Sequence, residues 1–340
     1  MNISHLFNGT NVHITPVFQA CEQIRDPVQF IVVPLVYLLV FCVGLPGNII
    51  ALLVFMQKSK KIKKAIRIYL INLTLSDVLF NLTLPFWIVY YFNGGDWIMS
   101  DWGCRIAGAA YYLATYSAIT FMMLISINRY CTVQMVKIRL SLNKQKGAVL
   151  TCVFVWLCWS GCAIPSLTES QTFQTNMSTT KCFEQFSEHK NYAFATIAFF
   201  SLSFLVVFVT YVSIMRSLSS QNTQAQGAHR KLAKTMVLGM LLVFVICVAP
   251  YHLSLASWVQ HRTAPIDCKP SNAVDIIHYL SIALLSINSC IDPLIYCFSV
   301  KRFRADLMKT TRKIFRCLLL QTGMSDTSEH GNRSTSFTSS

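Results

Sequence analysis

The sequence predicts an all-α membrane protein, a bundle of seven transmembrane helices followed by a short amphipathic eighth helix. Three observations carry this. The chain is 54% hydrophobic and only 13% charged over 340 residues, which leaves too little polar surface to keep a soluble domain of that size in water. Apolar stretches recur at 28–56, 67–92, 104–133, 148–167, 191–215, 233–258 and 273–298, each near the ~20 residues needed to cross the hydrocarbon core of a bilayer. Basic residues collect in the connections on one side of those stretches.

Residues 1–27 form an N-terminal arm with no apolar core of the kind a cleaved signal carries, so the first span is expected to act as its own insertion signal. The bundle, 28–298, is one domain. Pro85, Pro250 and Pro293 fall inside the second, sixth and seventh spans. Each removes a backbone hydrogen bond and predicts a kink about which a helix can pivot. Asp77, Arg129 and Asp292 are costly at membrane depth unless they face a polar bundle interior. Asn48, Asp77, Asn288, Ser289 and Asp292 can therefore meet in one buried network between the first, second and seventh helices, or serve only as interhelical glue.

Beyond the bundle, Phe303, Leu307, Ile314, Leu318 and Leu319 recur at helical intervals among Lys301, Arg302, Arg304, Lys309, Arg312, Lys313 and Arg316. This pattern predicts an amphipathic helix over 299–319 that lies on membrane lipid, with Cys317 as a palmitoylation site. Residues 320–340 are hydroxyl-rich and expected to be a disordered tail.

Of the 29 Lys and Arg, 23 fall on the side of the 57–68, 134–146 and 216–234 connections and the tail. The positive-inside rule then places the C-terminus in the cytosol and the N-terminus outside. The net charge of +15 is thus accounted for by topology and anionic lipid, with no reason to invoke nucleic acid. Cys21, Cys104, Cys182 and Cys268 fall on the outer, oxidising side, enough for two disulfides. Asn2, Asn8 and Asn176 head glycosylation sequons on that side, whereas those at Asn72 and Asn81 lie inside a span and should be inaccessible.

The ordered motifs then carry a resemblance. Gly47-Asn48, Leu73-Thr74-Leu75-Ser76-Asp77, Cys104, Asn128-Arg129-Tyr130, Trp156, Phe244-x-x-Cys247-x-x-Pro250 and Asp292-Pro293-x-x-Tyr296 occur in sequence, each in its own span. Together they resemble the rhodopsin-like class of G protein-coupled receptors along 28–316. The resemblance implies a plasma-membrane receptor that catalyses no reaction, takes no cofactor and passes a conformational change to a heterotrimeric G protein. It implies a Cys104–Cys182 disulfide, and the chemokine and purinergic branches suggest Cys21–Cys268 as a second. It assigns the switch to Asn128, Arg129, Tyr130, Asp292, Pro293 and Tyr296, with Tyr211 as a partner for Arg129 when the bundle opens. It makes the tail a substrate for receptor kinases and a site for arrestin.

Several positions depart from that class. Asn128 stands where an acid usually precedes the Arg, the sixth span is preceded by Ala228-His229-Arg230-Lys231 with no acid, Val248 replaces a Trp, and the fifth span has no Pro. Relatives hold a sodium ion beside the residue matching Asp77; here Ala114 and Ala118 leave a shared proton between Asp77 and Asp292 as the competing reading.

Within the class, Leu84–Tyr91, Asn93–Ile98, Cys182-Phe183-Glu184 and Pro250-Tyr251-His252 resemble the branch that takes platelet-activating factor. Helical spacing gathers Trp87, Tyr91, Gly108, Tyr111, Tyr112, Thr115, Tyr251, His252, Leu255, His278, Tyr279 and Ile282 at the outer end, with Phe183 and Glu184 above. That set has few cations for a nucleotide's phosphates and no carboxylate near Tyr111 for an amine. A lipid-like extracellular ligand with a choline head fits an aromatic cage, although His252 and His278 can equally be interhelical hydrogen bonders. The alternatives are a receptor for a nucleotide, another lysophospholipid or a chemokine, or a scavenging receptor. A transporter would need internal repeats or paired broken helices, and none is found; a membrane hydrolase would need a metal cluster or Ser/His dyad, and His252 and His278 have no Cys or Asp partners at ligand spacing.

Overall fold

The computed structural model describes residues 27–57, 64–133, 144–175, 178–183, 190–219, 224–263, 273–299 and 303–312. Seven helices in it are long and apolar enough to cross a membrane. They are Val28–Met56, Lys64–Phe92, Asp101–Val133, Gln145–Thr168, Lys190–Ser219, a sixth built from Gln224–Val243, Phe244–Val248 and Ala249–Thr263, and Ala273–Ser299. The second, third and fourth begin three residues before the apolar stretch that predicted them, and the sixth begins nine residues before. Lys, Gln and Arg are good helix formers, so the backbone stays helical where the hydrophobic signal has ended.

The third helix is the hub. It packs on the second, fourth, fifth and sixth, while the first packs between the second and seventh. The fourth and fifth both lean on the third but hardly touch each other. Buried Phe121, Met122, Ile125, Met236, Met240 and Phe244 fill the centre of the bundle. A second, aromatic cluster around Tyr37, Trp87, Tyr90 and Tyr111 fills the end that carries Cys104.

At two prolines the helical ladder changes its register. Just before Pro34 and Pro250 the chain makes one π turn, in which the Val33 N–H donates to the Val28 carbonyl and the Ala249 N–H to the Phe244 carbonyl. A proline ring crowds the carbonyl four residues back, and the wider turn relieves that clash. Pro85 and Pro293 stay within continuous helix.

Between the fourth and fifth helices the chain forms a small hairpin, β1 (Thr172–Gln174) against β2 (Thr180–Cys182), antiparallel with Thr172 opposite Cys182. The helical expectation did not include it. It is held down at several points. Cys182 is disulfide-bonded to Cys104. Asp101 Oδ1 accepts from the Ser170 hydroxyl (3.0 Å), the Gln171 N–H (3.1 Å), and the Thr172 N–H (3.1 Å) and hydroxyl (2.7 Å). Arg105 pairs with the other Asp101 oxygen at 2.5 Å. Asp96 accepts the Thr180 N–H at 2.7 Å.

After the seventh helix, 303–312 is helical. Phe303 is buried against Phe55 (4.9 Å between centroids) and Tyr296 (5.8 Å), and Gln57 Nε2 donates to Thr310 Oγ1 at 2.9 Å. Arg304, Lys309 and Arg312 are exposed. Cys21, Cys268, Asn2, Asn8, Asn176, Glu184, Cys317 and the tail lie outside the described residues.

Candidate functional site

At the disulfide end the helices part around an aromatic cavity holding about 660 Å³ of empty space, part of it open to the exterior. Each helix contributes by its own periodicity, since residues three or four apart share a face. The second helix presents Trp87 and Tyr91, the sixth Tyr251, Leu255 and Trp258, and the seventh His278 and Ile282. Tyr111 and Tyr112 come from the third helix and Tyr37 from the first. Phe183 descends from the hairpin onto Gly108 and lies 5.7 Å from the Tyr112 ring.

No charged side chain lines this cavity among the described residues. Its polar groups are hydroxyls, the His278 imidazole and indole N–H groups. Tyr37 and Tyr111 hydroxyls stand 3.5 Å apart. His278 stacks on Trp258 at 4.5 Å, and its Nδ1 lies 3.0 Å from Ser254 Oγ, which is 2.9 Å from Ser281 Oγ. The Trp87 indole N–H is buried with no hydrogen-bond partner among the described residues, so an acceptor in the cavity would relieve an unpaired donor.

Ten of the thirteen residues expected to bind ligand line the cavity: Trp87, Tyr91, Tyr111, Tyr112, Phe183, Tyr251, Leu255, His278, Tyr279 and Ile282. Two others lie elsewhere. Thr115 donates back to the Tyr111 carbonyl at 2.8 Å. His252 is turned toward the third and fifth helices, 3.0 Å from the Val248 carbonyl, 3.5 Å from the Tyr116 hydroxyl and stacked on Phe200 at 4.5 Å. Adjacent helical residues point roughly 100° apart, so Tyr251 and His252 do not share one wall. Sequence reasoning missed Trp258, Tyr37 and Tyr90; for Trp258 the signal was present, because it follows Tyr251 and Leu255 at helical spacing.

Below the cavity the expected polar residues come together. Asn48 Nδ2 donates to the Ser289 carbonyl at 2.7 Å, and Asn81 Nδ2 to Ser289 Oγ at 3.2 Å. Asn81 is the addition here, pressed against Gly44, where a β-carbon would stand 2.9 Å from its Oδ1. The carboxyls of Asp77 and Asp292 are both buried and neighbour each other. Asp77 Oδ2, Asn288 Oδ1 and both Asp292 oxygens are otherwise buried without a donor. Two such carboxyls are satisfied by a proton held between them or by a cation. Ala114 and Ala118 line the adjoining small cavity and offer no oxygen, so the residues present fit the shared proton better than a sodium ion. Among the described residues no cluster of His, Cys, Asp or Glu suits a metal.

At the opposite end Arg129 turns toward the sixth helix, its Nε 3.2 Å from Met236 Sδ. Asn128 beside it is buried, and Tyr130 and Tyr211 pack half-buried against the central core. Tyr296 lies edge-on to Phe55 at 5.3 Å. Pro293 lies close under Gly47 of the first helix. Asn72, in one of the two intramembrane sequons, accepts from the Trp156 indole at 2.8 Å.

The comparisons agree with this geometry. The family described as “7 transmembrane receptor (rhodopsin family)” matches residues 47–296. The platelet-activating factor receptor of Bos taurus is 32% identical over 315 residues, covering 86% of this chain and 91% of its own. That of Homo sapiens is 32% identical over 308 residues, covering 85% and 90%. G-protein coupled receptor 183 of Homo sapiens is 31% identical over 331 residues, covering 92% and 90%.

Proposed function

The chain belongs to the rhodopsin family of seven-transmembrane receptors, and on that premise we propose that it is activated by a phospholipid mediator of platelet-activating-factor type. The ligand enters from outside the cell into the aromatic cavity, and the change is passed to a heterotrimeric G protein at the Arg129 end. The observation that carries the reading is the cavity wall: aromatic on every side and without a charged side chain among the described residues. Such a wall suits a quaternary ammonium and an alkyl chain and gives a nucleotide's phosphates no cation. The topology that goes with it has the N-terminus outside and the tail in the cytosol, where kinases and arrestin act.

A G-protein dissociation assay against ether phospholipids, lysophospholipids, nucleotides and chemokines tests this. Activation by an ether phosphocholine, with the others silent, is the expected result. A response to nucleotides or chemokines alone would overturn it.

A further inference from the structure

His278 of the seventh helix lines the aromatic cavity, and side chains of the sixth helix grip its imidazole. The ring stacks on Trp258 at 4.5 Å, with 17° between the planes, and on Tyr251 at 5.5 Å, with 30°. Behind it lie two buried hydroxyls that do not themselves line the cavity, Ser254 of the sixth helix and Ser281 of the seventh. Tyr251, Ser254 and Trp258 recur at helical spacing, so one face of the sixth helix supplies both rings and a hydroxyl.

Four contacts meet at these hydroxyls. Ser254 Oγ lies 3.0 Å from His278 Nδ1, 3.0 Å from the Tyr251 carbonyl and 2.9 Å from Ser281 Oγ. Ser281 Oγ lies 2.6 Å from the His278 carbonyl. Two hydroxyls carry two protons and can serve only two of the four contacts. With a proton on Nδ1 a third contact is served: the imidazole donates to Ser254 Oγ, Ser254 donates onward, and Ser281 donates to the His278 carbonyl. With Nδ1 bare, two buried contacts would set acceptor against acceptor, which is costly. The ring proton therefore belongs on Nδ1, and in the neutral imidazole Nε2 is an acceptor.

We propose that Ser254 and Ser281 fix His278 as the tautomer protonated on Nδ1, so that the cavity wall at His278 accepts a hydrogen bond and selects a lipid that carries a hydroxyl. The proposal rests on the lipid reading above and narrows it. Elsewhere in the wall the Trp87 indole can only donate. The phosphate of an ether phosphocholine supplies acceptors for that indole and for the tyrosine hydroxyls. An ionised phosphodiester has no O–H, and a quaternary ammonium has no N–H. The donor for His278 has to come from the glycerol, as a hydroxyl left unsubstituted. Ser254 and Ser281 act through the imidazole and are positioning residues.

The test uses the full-length receptor in lipid nanodiscs and two labelled probes. One is a hexadecyl ether glycerophosphocholine with a free central hydroxyl; the other is the same lipid with that hydroxyl methylated. Wild type should bind the hydroxyl probe about tenfold or more tighter, because the methyl ether leaves the imidazole acceptor unmet. Ser254→Ala removes the partner that holds the proton on Nδ1, lets the ring take the other tautomer, and should bring the two probes within about threefold of each other. Ser254→Thr keeps a hydroxyl at the same place and should restore the preference, which a merely structural role for Ser254 would not require. The wild-type comparison needs no variant: equal affinities, or tighter binding of the methyl ether, overturn the proposal while leaving the lipid reading intact. A full preference retained in Ser254→Ala, or none restored in Ser254→Thr, overturns the positioning role. A wild-type receptor that binds neither probe overturns the lipid reading as well.

Discussion

Phe183 occupies the space that a side chain at residue 108 would need: a β-carbon on Gly108 would stand 2.1 Å from the Phe183 ring. The glycine is what lets the hairpin reach down beside Tyr112. Gly108→Val must therefore push Phe183 out of the cavity while Cys182, one residue away, stays tethered to Cys104. Agonist potency should fall about tenfold or more, equivalent to about 1.4 kcal/mol, at unchanged surface expression. Unaltered potency in a dose–response series would show that Phe183 does not shape the ligand site.

The two histidines separate by position. His278 lines the cavity, and His278→Ala should weaken potency. His252 is packed against Phe200 and Tyr116, and truncating it leaves a hole, which costs on the order of 1–3 kcal/mol. His252→Ala should lower the apparent Tm of the purified receptor more than it moves potency. The reverse ranking, read from thermal shift and dose–response curves on the same two variants, would contradict the assignment.

Asp292→Asn replaces one carboxyl of the buried pair by an amide whose N–H can donate to the orphaned Asp77 Oδ2. The amide supplies permanently the donor that the shared proton supplies in the wild type, so the apparent Tm should hold or rise. A lower Tm would mean that the pair holds a cation, which the amide cannot replace.

Ligand-free signalling follows from the Arg129 end. An acid beside Arg129, or facing it, favours the closed state by about 1 kcal/mol for a partly solvated pair. This chain has Asn128 in the first place and Met236 3.2 Å away in the second. The receptor should therefore signal measurably without agonist. Both Asn128→Asp and Met236→Glu should lower that signal several-fold at matched expression, read in a G-protein dissociation assay. Basal activity at the mock-transfected level in wild type would refute the idea.

The seven helices were legible because a bilayer imposes one length and one polarity on every span, so hydropathy alone locates them. Asn48, Asp77, Ser289 and Asp292 were legible for the complementary reason, since polar groups at membrane depth have to find one another. The outer hairpin was not: Thr172–Gln174 and Thr180–Cys182 are too short to carry an alternating pattern, and their pairing is held by Asp101, Asp96 and Cys104 from elsewhere in the chain.

What the sequence determined by itself, then, is the number of membrane-spanning helices, their order and the chemistry gathered at each end, because those follow from local composition and period. What only the tertiary structure decided is which neighbour takes which face: Tyr251 to the cavity and His252 behind it, Arg129 onto Met236, Asn81 into Gly44, and a gap between the fourth and fifth helices. The rotation of each helix about its axis is set by packing against its neighbours across the bundle. With residues only about 100° apart, a small change in that rotation exchanges one side chain for the next.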